Sequence, residues 1–277
     1  MHSTGTFIMR DGKALPMQAW LPDLAEPDSI VLGLHGFNDH SSAFAGAGAW
    51  LSEQGIVLYS YDQRGFGRNP DAGHWLGETT LVQDATCILH QLRTLWPSKR
   101  LFLLGESMGG AVALCLLAQT EEIHVDGAIL SAPAVWSKAS MPRIYRAFLY
   151  VMNRLFPKKT LNTRTSRIRP SDNPDTLAYW KNDPFVIRDV RIDALHGVTA
   201  LMDKACSVCP TVTTPLLWLH GKHDPIIPLK AVQAAMHLMP AQSCQIIVYP
   251  EGWHLLFRDT CRADVLRDIT HWIKNVI

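Results

Sequence analysis

The chain has 277 residues, with 26 Lys and Arg against 25 Asp and Glu, so its net charge of +1 gives no electrostatic case for nucleic acid or an acidic partner. Hydrophobic residues make up 47% and charged residues 18%, an ordinary globular balance at a length that suits one large α/β domain. No apolar run approaches the roughly 18 residues of a membrane-spanning helix, and the first residues carry Arg10, Asp11 and Lys13 rather than a signal-peptide core, so the expected location is cytoplasmic. Six cysteines (Cys87, Cys115, Cys206, Cys209, Cys244, Cys261) fit that compartment as free thiols. The one C-x-x-C pair, Cys206 and Cys209, lacks the second pair that a zinc site needs.

In chain order, residues 6–10 and 15–20 predict two strands joined at the hairpin turn signal Asp11-Gly12. The apolar run 30–34 suits a strand covered on both faces, and it ends in His35-Gly36-Phe37-Asn38-Asp39-His40. Ser41 or Ser42 can cap a helix that runs to Gln54, where Gly55 stops it. A strand over 56–61 leads into the glycine-rich turn Asp62-Gln63-Arg64-Gly65-Phe66-Gly67, and a helix over 79–95 ends ahead of Pro97. Strand 101–104, the turn Gly105-Glu106-Ser107-Met108-Gly109 and an Ala/Leu-rich helix then follow without a spacer, and after them comes strand 125–130.

This alternation argues for an α/β fold with a mostly parallel central sheet and helices on both faces. The rhythm breaks over 133–212, where helices are expected at 141–156, 174–181 and 190–205. It resumes with strand 216–219, helix 229–239, strand 244–249 and helix 262–276. An insertion at the C-terminal edge of a parallel sheet lies over the ligand crevice. The expected organisation is therefore a single domain, with a core of 1–132 and 213–277 and a helical cap insertion over 133–212.

A serine between two glycines on a strand-to-helix turn has a mechanical meaning. The turn is tight enough to hold the serine in a strained conformation with its hydroxyl exposed above the sheet. A serine hydroxyl is a poor nucleophile at neutral pH and needs an imidazole base, which in turn needs a carboxylate to hold its tautomer. In this setting the chain order is Ser, then Asp or Glu, then His, each on a loop after a strand. Asp224 follows strand 216–219 and His254 follows strand 244–249. His220 and His223 precede the acid, His271 sits inside the last helix, Asp203 falls in a cap helix, and Glu251 is too near His254 in sequence to orient it. Ser107, Asp224 and His254 are the candidate triad. Two backbone N–H donors must face the developing oxyanion: one from Met108, after the nucleophile, and one from the loop after strand 30–34, where Phe37 is the choice and Asn38 the competitor.

These segments resemble the α/β-hydrolase superfamily, and within it the monoacylglycerol lipase and lysophospholipase-like branch. The resemblance is carried by His35–Ser41, Asp62–Gly67, Gly105–Gly110, Ser131-Ala132-Pro133, His220–Pro225 and Gly252-Trp253-His254. It implies carboxylic-ester hydrolysis through an acyl-enzyme, without metal or cofactor, on monoacylglycerol or lysophospholipid-type monoesters. It also implies that Asp39 and His40 support the oxyanion loop and that Arg64 buttresses the loops beneath the site. Asn69 departs from the pattern, since relatives often carry serine there.

The cap should decide the substrate. Residues 141–156 place Ile144, Tyr145, Phe148, Leu149, Met152, Leu155 and Phe156 partly at helical spacing, a face that either packs on the core or forms an acyl-chain tunnel or a lipid-facing lid, with Phe148, Leu149 and Met152 as the candidate pocket residues. Nine Lys and Arg and no Asp or Glu lie between Lys138 and Arg169, which suggests a transient contact with an anionic membrane surface or a phosphate-bearing substrate. The alternatives are a short-chain or aryl carboxylesterase and, in another class, a non-catalytic hydrolase-fold binding protein. No nucleic acid, metal or protein partner is inferred.

Overall fold

The computed structural model describes residues 1–23, 26–119, 124–138, 140–163, 168–240 and 244–276. Its strands are β1 (His2–Ile8), β2 (Ala14–Trp20), β3 (Ser29–Leu34), β4 (Ile56–Tyr61), β5 (Arg100–Glu106), β6 (Gly127–Ser131), β7 (Thr160–Asn162), β8 (Asp189–Arg191), β9 (Leu216–Gly221) and β10 (Cys244–Tyr249). Its α-helices are α1 (Ala45–Glu53), α2 (Glu78–Leu95), α3 (Met108–Leu117), α4 (Arg143–Leu155), α5 (Pro174–Asn182), α6 (Ile192–Val208), α7 (Leu229–Met236) and α8 (Arg262–Asn275).

Eight strands form one sheet in the order β1-β2-β4-β3-β5-β6-β9-β10. The β1–β2 and β2–β4 pairs are antiparallel and all later pairs are parallel. Every residue of β3, β4, β6 and β9 is buried, as continuous apolar strands between two helical layers must be. On one face Phe44, Leu51, Phe102, Leu219, Phe257 and Ile269 pack α1 and α8 against the sheet. On the other, Leu89, Leu103, Leu114, Leu201, Trp218 and Val232 join α2, α3, α6 and α7 to it. All ten residues of α3 are buried. A helix that is apolar all round needs such a central place.

Several expectations shift in detail. The first strand begins at His2 rather than residue 6, because β1 pairs along the whole of β2, from His2 opposite Trp20 to Ile8 opposite Ala14. The helix expected from Ser41 opens as a 3-10 turn over Ser41–Phe44. It is capped by the His40 side chain, because the Ser41 hydroxyl is already committed to Asp62 at 2.6 Å. Within 133–212 the helices are joined by a two-stranded antiparallel ribbon, β7 with β8, that helical periodicity could not signal. In that same stretch α6 packs on α3, with Leu201, Ala205 and Cys206 in the main core cluster, so it covers the sheet.

The end of the sheet that bears Ser107 depends on two close approaches. A Cβ on Gly105 would lie 2.6 Å from Gly109 O, and one on Gly109 would lie 1.9 Å from Leu34 O. The first turn of α3 is thereby pressed onto the end of β3, where the His35-Gly36 loop begins. Gly109→Ala should destabilise the fold by about 3 kcal/mol through overpacking against backbone that cannot rotate away. This is read as a lower urea midpoint, and an unchanged midpoint would show that α3 can withdraw from β3.

Candidate active site

Ser107 follows β5 directly and precedes α3, with φ 52° and ψ −113°. A left-handed φ is costly for a non-glycine residue and persists only where the surroundings enforce it. Here Ser107 N–H donates to Ser131 O at 2.9 Å, and Ser107 O accepts from Ala134 N–H at 2.9 Å and Gly110 N–H at 3.0 Å. The strained turn is thus tied to the end of β6 and to the start of its own helix.

Asp224 and His254 come together as their loop positions suggested. The Asp224 side chain is fully buried, with Oδ2 2.8 Å from His254 Nδ1. Its Oδ1 accepts from the Ile226 and Ile227 amides at 2.7 and 3.0 Å. A carboxylate only accepts, so Nδ1 carries the donated proton and Nε2 is left as the basic nitrogen. Burial alone would push the Asp224 carboxyl up, but the imidazole and the two amides outweigh it and hold the group below its ordinary value. For His254, burial pulls down, while the Asp224 charge, the hydrogen bond to it and the Glu106 charge together raise the imidazole above its ordinary value. Ser107 Oγ makes no direct hydrogen bond to His254 among the described residues, and unliganded triads are often loose at this contact.

The loop after β3 leans on the nucleophile. A Cβ on Gly36 would stand 3.4 Å from Ser107 Cβ. His35 fixes the loop: its Nε2 accepts from Gln63 N–H at 2.9 Å, which leaves Nδ1 to donate to Gly36 O at 2.8 Å. Burial holds this ring below its ordinary value, in keeping with a neutral imidazole. Gln63 Nε2 also donates to His35 O at 2.7 Å, so the loop is locked to the glycine-rich turn. The Phe37 and Met108 amides donate to no group within the described residues, and Met108, as the first residue of α3, has no partner a turn earlier. Asn38, the competing donor, has φ 66°, and its carbonyl accepts from Ile187 N–H at 3.0 Å.

The residues expected to support this loop make separate contacts. His40 Nε2 meets Asp183 Oδ2 at 2.9 Å, joining the loop to the end of α5. Asp39 Oδ1 accepts from His40 N–H at 2.9 Å, and its Oδ2 lies 2.8 Å from Arg258 Nη2. The same Nη2 is 2.9 Å from Glu106 Oε2. Arg64 stands further off, tying Asp84 of α2 to Asp11 in the hairpin loop at 2.8 and 2.6 Å. The Asn69 Nδ2, with two protons, lies within hydrogen-bond distance of three carbonyls, those of Asp62, Gln63 and Phe66, where a serine hydroxyl has one proton to give.

Phe148, Leu149 and Met152, expected along an acyl path, all lie on α4. Helix α4 buries no residue: Phe148 is 59% exposed and Leu149 and Met152 are half-buried. α4 rests on α6 along one flank, where Leu149 helps line a groove of about 420 Å³ with Arg146, Tyr150 and His196. Sequence reasoning also passed over Glu106, Arg258, Asp183 and Asp259. Glu106 lay in plain view inside the Gly105–Gly109 turn, whereas nothing local marks Arg258, whose ion-pair partners are 152 and more residues away.

In an NMR pH titration the His254 imidazole should titrate above its ordinary value of 6.5, and Asp224→Asn should bring that midpoint down. A wild-type midpoint below 6.5 would show that burial outweighs the carboxylate.

Comparison with known proteins gives the family and the fold. The family model described as serine aminopeptidase, S33, matches residues 25–261. A monoacylglycerol lipase of Mycolicibacterium smegmatis is 25% identical over 99% of this chain and 98% of its own, and a monoglyceride lipase of Homo sapiens is 23% identical over 97% and 89%. The crystal structure of a soluble variant of monoglyceride lipase from Saccharomyces cerevisiae, in complex with a substrate analogue, superposes with a TM-score of 0.83 at 19% identity, over 98% of this chain and 94% of that one. The chain belongs to the S33 serine aminopeptidase family of the α/β-hydrolase superfamily, in the branch that its monoacylglycerol lipase relatives occupy.

Proposed function

We infer that this chain hydrolyses carboxylic monoesters of the monoacylglycerol or lysophospholipid type through an acyl-enzyme on Ser107. The observation that carries the reading is the buried Asp224–His254 pair at 2.8 Å on the same sheet edge as a nucleophile turn strained to φ 52°. Ser107 Oγ attacks the ester carbonyl as its proton passes to His254 Nε2. The tetrahedral oxyanion takes hydrogen bonds from the Phe37 and Met108 amides, each worth about 10²–10³ in rate at such sites. Collapse breaks the bond to the alkoxy oxygen, which leaves as the alcohol with the proton from His254. A water molecule then gives a proton to His254 and its oxygen to the acyl carbon, and the acid departs as Ser107 recovers its proton.

Ester hydrolysis is favoured over the aminopeptidase chemistry in the family's name. An aminopeptidase must receive a substrate ammonium, yet the stretch from Lys138 to Arg169 has nine cations and no carboxylate. Ser107→Ala should abolish fluorophosphonate labelling and cut turnover by at least about 10⁴-fold with the fold intact. Activity on a panel of acyl glycerols and lysophospholipids should peak at medium to long chains. A sharp maximum at acetate or butyrate would favour the short-chain esterase, and a folded wild type that neither labels nor turns over would favour the non-catalytic binding protein.

The cap supports a membrane-surface encounter. Ile144 is 73% exposed and Leu155 61%, and Tyr145, Phe148, Val151 and Phe156 are exposed with them. Arg143, Arg146, Arg154, Lys158 and Lys159 lie on or just beyond the same helix, while Arg164 and Arg167 fall outside the described residues. Near an anionic leaflet each such cation is worth about 1 kcal/mol, and the attraction is screened by salt. Raising salt should therefore lower hydrolysis of anionic lipid vesicles while leaving a water-soluble ester unaffected; salt-independent hydrolysis of the vesicles would remove this contact. No helix among the described residues is long and apolar enough to cross a membrane. The six unpaired cysteines suit a cytoplasmic setting.

A further inference from the structure

Glu106 and Asp39 are both buried, at 1% and 4% exposure, and both reach a single nitrogen, Nη2 of Arg258. The Arg258 side chain is itself only 14% exposed. Two carboxylates withdrawn from water around one cation are costly to assemble, and apolar groups of the same volume would serve stability at least as well. What such a cluster supplies is geometry, because it is satisfied at one arrangement of the segments that carry it.

Those segments are the three that bear the proposed chemistry. Glu106 immediately precedes Ser107 and stands two residues before Met108. Asp39 stands two residues after Phe37. Arg258 is four residues after His254. A Cβ on Gly36 would lie 3.9 Å from Glu106 Oε2, so the oxyanion loop and the nucleophile turn meet at this carboxylate. Arg258 is held in turn by the segment entering α5. Its carbonyl accepts from Asn173 Nδ2 at 3.0 Å and from Thr176 Oγ1 at 2.8 Å. Pro170 O accepts from the His254 and Leu255 amides, both at 3.0 Å. Ser171 Oγ donates to Asp259 Oδ1 at 2.5 Å, and Asp259 Oδ2 accepts from Trp253 N–H at 2.7 Å. The cation therefore sits on a loop that the cap fixes from above, and it reaches down to both donor loops.

We propose that Arg258 is the positioning residue of this site, its Nη2 setting the oxyanion loop and the nucleophile turn at the spacing that the tetrahedral intermediate requires. The role rests on the acyl-enzyme reading and adds to it. Arg258 touches no reacting atom. It acts through Asp39 on the Phe37 amide and through Glu106 on Ser107 and the Met108 amide, and a displacement of about 1 Å at such groups costs roughly 100-fold in rate.

The test compares Arg258→Met, Arg258→Lys and Glu106→Gln/Arg258→Met with wild type on a water-soluble monoester, with fluorophosphonate inactivation rates and melting midpoints for each. Arg258→Met should lose about 100-fold in kcat with KM within threefold, and its inactivation rate should fall in step. Arg258→Lys should recover to within about tenfold of wild type, because one nitrogen serves both carboxylates. If Arg258→Met fails to fold with two uncompensated carboxylates, the double variant, with one fewer buried charge of each sign, gives the same reading through its own kcat. A folded Arg258→Met or double variant with wild-type kcat, or a loss confined to the melting midpoint, overturns the positioning role. A wild type that neither labels nor hydrolyses any ester overturns the acyl-enzyme reading instead.

Discussion

The first turn of α3 lies closer to the end of β3 than any side chain would permit, with the Gly109 backbone against Leu34 O. Much of the candidate site depends on that approach. It brings the amide of Met108 and the loop of Phe37 to the same edge of the sheet. It also leaves Ser107 no room to relax from its left-handed φ, since its carbonyl and amide are claimed by Ala134, Gly110 and Ser131. The parallel register of β3 with β5, which pairs Leu34 with Gly105, sets the heights of the two loops relative to each other.

Around that contact the loop after β3 is tied to the glycine-rich turn. His35 and Gln63 exchange bonds across the two, and Asn69 closes the turn onto its carbonyls. Several buried side-chain atoms nearby have no partner among the described residues, Gln63 Oε1, Asn69 Oδ1 and Ser131 Oγ among them. Glu106 Oε1 and Arg258 Nε are two more, although Glu106 Oε2 and Arg258 Nη2 are paired with each other. Burial raises the Glu106 carboxyl, Arg258 opposes that, and the Asp39 charge adds to it, so a small charge cluster lies directly behind the candidate nucleophile. Its field also reaches His254, where Glu106 works with Asp224 to favour the protonated ring.

The stretch 133–212 divides into two parts with different physics. The segment from Pro170 through α5 to Asp183 is fastened to the base loop and to His40 by short polar contacts. α6 continues into the main core. α4, by contrast, presents apolar side chains to solvent, flanked by cations, and rests on α6 along one side.

The sequence by itself determined the sheet, the order of its strands in the chain and the candidate triad. Those features are written locally: apolar runs of strand length, Gly105 and Gly109 around Ser107, and an acid and a histidine each one loop past a strand. Its reading of 141–156 as an amphipathic helix holds in α4, but periodicity alone could not say whether that face meets the core or water, and the structure turns Phe148 outward. Only the tertiary structure decided the β7–β8 ribbon, the packing of α6 on α3, and the meeting of Asp39, Glu106 and Arg258. These depend on segments up to 219 residues apart, Asp39 and Arg258 being the widest pair, and a contact of that span leaves no periodic trace in the chain. Hydrophobic spacing encodes which face of an element is buried; which buried charges then find one another is settled by how the finished layers stack.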